Sequence, residues 1–263
     1  MAVVDRRAIF YDIDGVLAVS WEALPGAAEA VAVLREAGWL TAFVTNTSSL
    51  SRKEIARRLA DAGVDAATDE IFTAARAAAR YLDEHHHGAR CLLLNNGDLG
   101  EDVAGLNLVD KDADVVLTGA SGPDITYEAL NRAFQSLLGG ARLVAMHRNA
   151  SWATAAGLQL DMGPFVLALE SAAGVEAKVV GKPAPEFYGS ILDQLGVKAA
   201  DTVMIGDDVE SDVLGAQALG MHGVLVRTGK FRPETLAAAS GEPDDVIDSV
   251  ADLADLLGVN RIG

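Results

Sequence analysis

Two aspartates near the start of the chain are its first candidates for chemistry. Asp12 and Asp14 lie where the apolar segment AIFYDID ends, directly before Gly15. Side chains at the carboxyl end of a strand in an open α/β sheet face the crevice that binds ligands. An Asp-x-Asp-Gly sequence also occurs in turns that have only a structural role. The pair therefore predicts a site only in combination with groups from other segments.

A second apolar segment delivers a second set of acids. Asp207 and Asp208 follow VMIG, and Asp212 lies one helical turn further on. Carboxylates that share one sheet edge repel one another and raise one another's pKa. A bound divalent cation with oxygen ligands relieves this repulsion, and magnesium is the natural candidate. For Asp208 and Asp212 another interpretation stays open, in which they favour the positive end of the following helix dipole.

Hydrogen-bonding and cationic groups follow two further apolar segments. Thr45 lies at the end of LTAFVTN, and Lys182 stands between Gly181 and Pro183. A hydroxyl and a compact ammonium group both suit a phosphoryl oxygen. Local donors of this kind are required because the formal net charge of -17 opposes the capture of an anionic phosphoester.

The elements that must position these residues follow from the apolar pattern. Pro25 begins and Gly38 ends one helical segment, and a second helix is predicted from Ser51 as N-cap to Gly63. Strands are predicted over 8–14 and 40–46, and near 91–95, 114–118, 142–147, 177–181, 202–206 and 222–227. Strands that alternate with helices in this way predict an α/β architecture with parallel sheets.

Composition narrows the functional classes. The chain has 263 residues, 50% of them hydrophobic, which is enough for one large or two modest domains. Its negative charge argues against binding to nucleic acid or to a membrane surface. No apolar run reaches the roughly 18 to 20 residues of a membrane span, and the charged start is unlike a secretory signal. We therefore expect a cytoplasmic protein, with the single Cys91 buried in a strand.

Four segments in order, DIDGV, VTN, GKP and GDDVESD, resemble the four motifs of the haloacid dehalogenase superfamily. The insertion between VTN and GKP is similar to the α/β cap of the nitrophenylphosphatase-like subgroup. Within that subgroup, GPFVLALE and GAQALGMHGVLVRTGK look like the branch of hydrolase domain-containing proteins and phospholysine phosphohistidine inorganic pyrophosphate phosphatases. The resemblance implies a Rossmann-like, doubly wound core of residues 1–78 and 178–263, with an inserted cap of 79–177.

The same resemblance implies roles for the candidate residues. It makes Asp12 the nucleophile that forms an aspartyl phosphate, and Asp14 the acid and base for the leaving group and for water. It implies Mg²⁺ held by Asp12, Asp207 and the backbone carbonyl of Asp14, with Asp208 and Asp212 orienting those ligands. It implies that phosphoryl oxygens bind to Thr45, to the amides of Asn46 and Thr47, and to Lys182.

The resemblance leaves the substrate open. A phosphatase for small phosphomonoesters is the first hypothesis, and a phosphatase for phosphoramidates or inorganic pyrophosphate is the second. A non-catalytic protein that binds a phosphorylated ligand is a third, although the intact acids and lysine argue against it. Caps of this type help form dimers in relatives, which implies a homodimer.

Residues of the insertion carry alternatives of their own. His147, Arg148 and Asn149 follow a predicted strand, and they are either substrate-recognition residues or part of a surface loop. Trp152 either stacks on a leaving group or lies in a polar loop. The run of histidines at 85–87 resembles a metal site in composition, but consecutive residues do not share a helix face. We interpret this run as a solvated helix end.

Overall fold

The computed structural model describes residues 7–154 and 157–259, and these residues form parallel sheets with helices packed against them. The strands are β1 (Ala8–Asp12), β2 (Ala18–Val19), β3 (Glu22–Ala23), β4 (Leu40–Thr45), β5 (Ile71–Thr73), β6 (Arg90–Leu94), β7 (Asn107–Leu108), β8 (Val115–Thr118), β9 (Arg142–Ala145), β10 (Ser151–Thr154), β11 (Gly157–Leu160), β12 (Lys178–Val179), β13 (Thr202–Gly206), β14 (His222–Val226) and β15 (Asp245–Ile247).

The α-helices are α1 (Ala27–Glu36), α2 (Arg52–Asp61), α3 (Ala74–His85), α4 (Tyr127–Leu138), α5 (Gly163–Ala173), α6 (Pro185–Leu195), α7 (Gly215–Gln217), α8 (Pro233–Ala237) and α9 (Leu253–Leu256). The two helices predicted from the sequence are α1 and α2. Helices also follow most of the other main strands, although among the described elements no α-helix separates β6 from β8 or β9 from β11. A π-helical turn spans Val209–Leu214, and short 3₁₀ helices span Thr68–Glu70, Gly100–Asp102, Ala199–Asp201 and Val250–Asp252. No helix among the described residues is long and apolar enough to cross a membrane.

The described residues divide into two compact units. The first takes the ranges Met1–Thr45, Lys53–Phe72 and Lys182–Gly263, and the second takes Asn46–Arg52 and Thr73–Gly181. This division, near residues 72 and 181, describes which residues pack into one compact unit. It does not test the limits of a cap domain, so the limits expected at 78 and 177 stay a prediction. The short segment Asn46–Arg52, directly after β4, belongs to the second unit.

The first unit contains a six-stranded sheet in the order β15-β14-β13-β1-β4-β5. The four pairs from β15 through β4 are all parallel. All five residues of β1 are buried, as expected for a central strand with both faces covered. Successive strands run outward from β1 on one side and from β13 on the other, so the strand order reverses between these two neighbours.

Helix α1 shows how the sequence pattern builds this unit. Its buried residues are Ala27, Ala30, Val31 and Leu34, a spacing that places them on one helix face. The helix begins after Gly26, whose φ of 78° is left-handed, and the chain turns at Gly38 with a φ of 86°. Glycine adopts this conformation without the steric penalty of a side chain.

The second unit contains a parallel five-stranded sheet in the order β12-β9-β8-β6-β7. Alternate strand residues face opposite sides, where two separate apolar clusters form. Leu92, Val116 and Leu143 belong to the cluster with α4 and α5. Cys91 and Val115 belong to the cluster with α3. The predicted α/β class with parallel sheets is confirmed, and so is a second α/β unit in the middle of the chain.

Candidate active site

The site in the first unit forms where the strand order of its sheet reverses. Asp12 is the last residue of β1, Thr45 is the last residue of the neighbouring β4, and Asp207 directly follows β13 on the other side. Parallel strands bring their carboxyl ends to the same edge, and ligands bind at such a switch point. Asp12 and Thr45 are buried there.

Three carboxylates converge at this edge. Asp12, Asp207 and Asp212 are each 4% exposed or less, and one oxygen from each lies within 4.8 Å of the others. One oxygen of Asp207, Oδ2, accepts a hydrogen bond of 2.7 Å from the backbone amide of Lys230. Its other oxygen, Oδ1, is buried and has no hydrogen-bond partner. A buried, unsatisfied carboxylate oxygen among other acids fits a divalent cation, which prefers oxygen ligands.

The pKa values of the clustered carboxyl groups also favour a bound cation. Burial raises the pKa of Asp207 to about 8, with a further contribution from Asp12, against the opposing effect of Lys230. Burial also raises the pKa of Asp212, although Lys182 opposes the shift. The neighbouring positive groups therefore do not fully offset the burial of Asp207 and Asp212, and a bound cation would supply further positive charge.

Lys182 provides the positive charge within the cluster. Its Nζ lies 2.6 Å from Oδ1 of Asp12 and 2.7 Å from Oδ1 of Asp212. The side chain is buried, which opposes its charge, but Asp12 and Asp212 outweigh this effect and raise the pKa of Lys182. The lysine is therefore held as a cation between two acids, and Asp12 is held with it.

The π-helical turn places Asp212 in the cluster. Asp212 lies so close to Gly206 that a Cβ at position 206 would clash with it. Its Oδ2 accepts a hydrogen bond of 3.1 Å from the amide of Asp208. The buried hydroxyl of Tyr188 donates to the backbone carbonyls of Ser211 at 2.6 Å and Asp212 at 3.2 Å. A π-helical turn of this kind is frequent at functional sites.

Asp208 and Asp212, for which two interpretations were open, have different surroundings in the structure. Asp208 caps the π-helical turn, because its Oδ1 accepts from the amides of Glu210 at 3.2 Å and Ser211 at 3.0 Å. Its place agrees with the interpretation as a helix N-terminal acid. Asp212 instead lies in the carboxylate cluster and pairs with Lys182.

Asp14 differs from the cluster in its surroundings. Its side chain is exposed, while atoms packed around its carboxyl group still desolvate it and raise its pKa. Lys230, Lys182 and a hydrogen bond from the backbone of Ser20 oppose this shift. A carboxyl group whose pKa is raised holds a proton more readily, which suits a general acid.

The segment after β14 carried part of the family resemblance, but none of its residues was predicted to belong to the site. Lys230 contributes its amide to Asp207 and its charge to Asp14, Asp12 and Asp212. The Thr228 hydroxyl donates to the Gly15 carbonyl at 2.5 Å, and a Cβ on Gly229 would clash with the carboxylate of Asp207. The sequence RTGK directly after an apolar strand was the available signal.

The remaining candidate residues lie in the second unit. Asn46 and Thr47 begin its segment Asn46–Arg52. His147 is buried, with its Nε2 3.2 Å from the Oγ of Ser48, while Trp152 is exposed. Residues 155 and 156, between β10 and β11, lie outside the described residues.

The histidine run ends α3 as a solvated element. His85 and His87 are exposed, and His87, just beyond the end of α3, pairs with Asp83 in the last turn of that helix. In the part of the chain that the structure describes, Asp12, Asp207 and Asp212 form the group of three or more ligand side chains that could hold a metal.

Comparison with known proteins places this arrangement among hydrolases. A family model described as haloacid dehalogenase-like hydrolase matches residues 9–109, and a related HAD-hydrolase-like model matches residues 179–253. The human phospholysine phosphohistidine inorganic pyrophosphate phosphatase is 38% identical over 259 residues, which cover 95% of this chain and 94% of that protein.

Solved structures agree with these sequence matches. The p-nitrophenyl phosphatase from Archaeoglobus fulgidus superimposes with a TM-score of 0.89 at 31% identity, covering 96% of this chain and 99% of its own. The glycerol phosphate phosphatase from Mycobacterium tuberculosis, solved in complex with magnesium, gives a TM-score of 0.86 at 28% identity. That match covers 95% of this chain and 76% of the other.

Proposed function

The chain belongs to the haloacid dehalogenase-like hydrolases, and we propose that it is a magnesium-dependent phosphatase that acts on small phosphorylated substrates through an aspartyl phosphate. The observation that carries this proposal is the buried contact between Lys182 and Asp12 beside the carboxylate cluster. A carboxylate at the end of a central strand, held by a cation, is placed to attack an electrophile at the sheet edge.

In the first step, a carboxylate oxygen of Asp12 attacks phosphorus, and the bond from phosphorus to the leaving-group oxygen breaks. Asp14 in its protonated form donates its proton to that oxygen. The raised pKa of Asp14 supports this role, since the group must hold a proton at the start of the reaction. The products of this step are the alcohol and a phosphorylated Asp12.

In the second step, Asp14 is a carboxylate and accepts a proton from a water molecule. The water oxygen attacks phosphorus, the bond to Asp12 breaks, and inorganic phosphate leaves. Asp14 regains its proton, so the two steps together consume one water molecule and restore both carboxyl groups.

Donors from several elements would bind the phosphoryl group. Lys182 offsets negative charge on Asp12 and on the transferred group. We propose that the Thr45 hydroxyl and the amides of Asn46 and Thr47 bind phosphoryl oxygens, as the family motif implies.

The carboxylates of Asp12 and Asp207 and the backbone carbonyl of Asp14 would hold Mg²⁺. When bound, the ion offsets the repulsion between an anionic nucleophile and an anionic substrate. We propose that Asp212 acts on these ligands through Lys182, and that Asp208 acts by capping the turn that carries Asp212. The orphaned Oδ1 of Asp207 supports a ligand at that position.

A second substrate class has its own support. The human relative, at 38% identity over nearly the whole chain, is named for phospholysine, phosphohistidine and inorganic pyrophosphate. Cleavage of a phosphorus to nitrogen bond or of pyrophosphate would use the same nucleophile and a different leaving group. We place simple phosphomonoesters first, because the solved relatives are named as phosphatases of such esters.

A phosphate-release assay tests the proposal. The purified protein is incubated with a panel of phosphomonoesters, phosphoramidates and pyrophosphate, once with magnesium and once with a chelator. We expect turnover on at least one class with magnesium and none with chelator. Ligand binding without turnover on any member would contradict the proposal and favour a non-catalytic binding protein.

A further inference from the structure

Ser48 and His147 form a buried contact inside the second unit. The Oγ of Ser48 lies 3.2 Å from Nε2 of His147, and each residue is 2% exposed. Ser48 belongs to the segment Asn46–Arg52, and His147 follows β9 by two residues. The contact thus joins the segment that follows β4 to the carboxyl edge of the second sheet, across 99 positions of sequence.

The surroundings of the imidazole define its hydrogen bonding. The amide of Asn149 donates to Nδ1 at 3.3 Å. A neutral imidazole that accepts at Nδ1 carries its proton on Nε2, so the ring donates to the hydroxyl oxygen of Ser48. The carboxylate of Asp161 lies 3.9 Å from Nδ1, and the amide of Met162 holds that carboxylate at 2.8 Å. Ser48 and the amide of Asn149 therefore give each ring nitrogen a hydrogen-bond partner.

Two further contacts hold the same segment. The guanidinium of Arg52 binds the buried carboxylate of Asp102, which also accepts from the Thr73 hydroxyl at 2.8 Å. The backbone at Ser49 approaches Gly97 so closely that a Cβ at position 97 would clash with it. Ser48 directly follows Asn46 and Thr47 and precedes these anchors, so its bond to His147 holds the backbone beside those two residues.

We propose that His147 is a positioning residue that fixes the peptide groups of Asn46 and Thr47 through Ser48. The inference rests on the proposed function, in which those amides bind phosphoryl oxygens. Donors that are oriented before the substrate arrives bind developing charge without a reorganisation cost. In this role His147 does not contact the leaving group, because its Nε2 donates to the hydroxyl of Ser48.

The two roles predict different behaviour of matched variants. Ser48→Ala removes the acceptor, and His147→Leu removes the donor. Positioning predicts that each raises the inhibition constant of inorganic phosphate about fivefold, the effect of losing one hydrogen bond. The double variant should be no worse than either single variant, because both remove the same bond. His147→Gln, whose amide can still donate, should remain within about twofold of the wild type.

The experiment measures phosphate inhibition together with KM and kcat on two substrates that differ in leaving group, 4-nitrophenyl phosphate and inorganic pyrophosphate. Ser136→Ala, in α4 of the same unit, is the control. Equal loss of phosphate affinity with both substrates supports the proposal. An unchanged inhibition constant in folded Ser48→Ala overturns it, as does a change in substrate preference confined to His147→Leu.

Ser48→Ala removes only a hydroxyl group, so it keeps the test valid if His147→Leu does not fold. The wild-type control separates this inference from the proposed function. Absence of turnover in the wild type contradicts the proposed function, whereas wild-type turnover with unchanged phosphate inhibition in Ser48→Ala contradicts only the role of His147.

Discussion

The ammonium nitrogen of Lys182 lies 2.6 Å from a carboxylate oxygen of Asp12, although 170 positions of sequence separate the two residues. The same nitrogen lies 2.7 Å from Asp212. Both acids and the lysine are buried, so removing one partner leaves an uncompensated charge. This triad joins three of the four chain segments from which the proposed chemistry is built.

Lys182→Met tests the contribution of the cation. We expect turnover to fall by at least about 100-fold, because the nucleophile and the phosphoryl group both lose their positive partner. We also expect a loss of stability of about 3 kcal/mol from the unpaired buried acids. Rates and urea unfolding would be measured beside Lys198→Met, which changes an exposed lysine. Wild-type turnover in folded Lys182→Met would contradict this role.

The raised pKa of Asp207 predicts an unusual dependence of stability on pH. Its pKa of about 8 in the folded protein is above the ordinary value of 3.8, so the folded state binds the proton more tightly than the unfolded state. The contribution of Asp207 to the free energy of unfolding is therefore largest below about pH 4 and is lost as pH rises through about 8.

Thermal unfolding in the presence of a chelator tests whether stability falls with rising pH as expected. From pH 5.5 to pH 8 the Tm of the wild type should fall more than the Tm of Asp207→Asn, which cannot ionise. Magnesium should restore the wild type most strongly at pH 8, since a carboxylate binds the ion only after losing its proton. Parallel Tm profiles for the two proteins in chelator would contradict the explanation.

Gly229 offers a test of the packing around Asp207. Its φ is 60°, and an added Cβ would clash with the Asp207 carboxylate. Gly196 is the matched control, since its φ is 65° and an added Cβ would meet nothing within 4 Å. Both alanine variants should lose about 1 kcal/mol of stability from backbone strain, and Gly229→Ala should lose more because its Cβ would also meet the Cα of Gly15.

Only Gly229→Ala should also weaken magnesium binding, which can be measured by titration calorimetry on the folded protein. Equal magnesium affinity in the two glycine variants would show that the close approach of Gly229 to Asp207 has no role in the site.

Tyr188→Phe tests the support of the π-helical turn. The hydroxyl donates to the carbonyls of Ser211 and Asp212, and its loss leaves both carbonyls without that donor. We expect a loss of about 1 to 2 kcal/mol in urea unfolding and a weaker apparent affinity for magnesium. Tyr127→Phe, at an exposed position, should change neither quantity. An unaltered magnesium affinity in Tyr188→Phe would restrict the hydroxyl to a structural role.

The sequence was sufficient to predict that Asp12, Lys182 and Asp207 lie together at one sheet edge. Apolar runs and the glycines and prolines around them located the main strands, and acids at the ends of β1 and β13 indicated the cluster. Single-sequence patterns could not distinguish Asp208 from Asp212, because the π-helical turn that directs one toward Lys182 depends on tertiary packing against Gly206 and Tyr188.

Other features also depend on contacts that are distant in sequence. Lys230 contacts Asp207 through its backbone amide. Every residue except proline carries such an amide, so the residue type does not reveal the contact. The contact between Ser48 and His147 joins residues 99 positions apart, and neither belongs to a motif with a fixed spacing. Residues of this kind can be found only once the strands have been assembled.

The most direct test of the central claim is the rate of phosphate release by Asp12→Asn with saturating magnesium, on the best substrate of the panel. The asparagine amide has nearly the shape of the carboxylate but lacks the anionic oxygen that acts as the nucleophile. The fold should therefore persist, and turnover should fall to the background rate. Magnesium-dependent turnover at the wild-type rate in folded Asp12→Asn would contradict Asp12 as the nucleophile and with it the proposed mechanism.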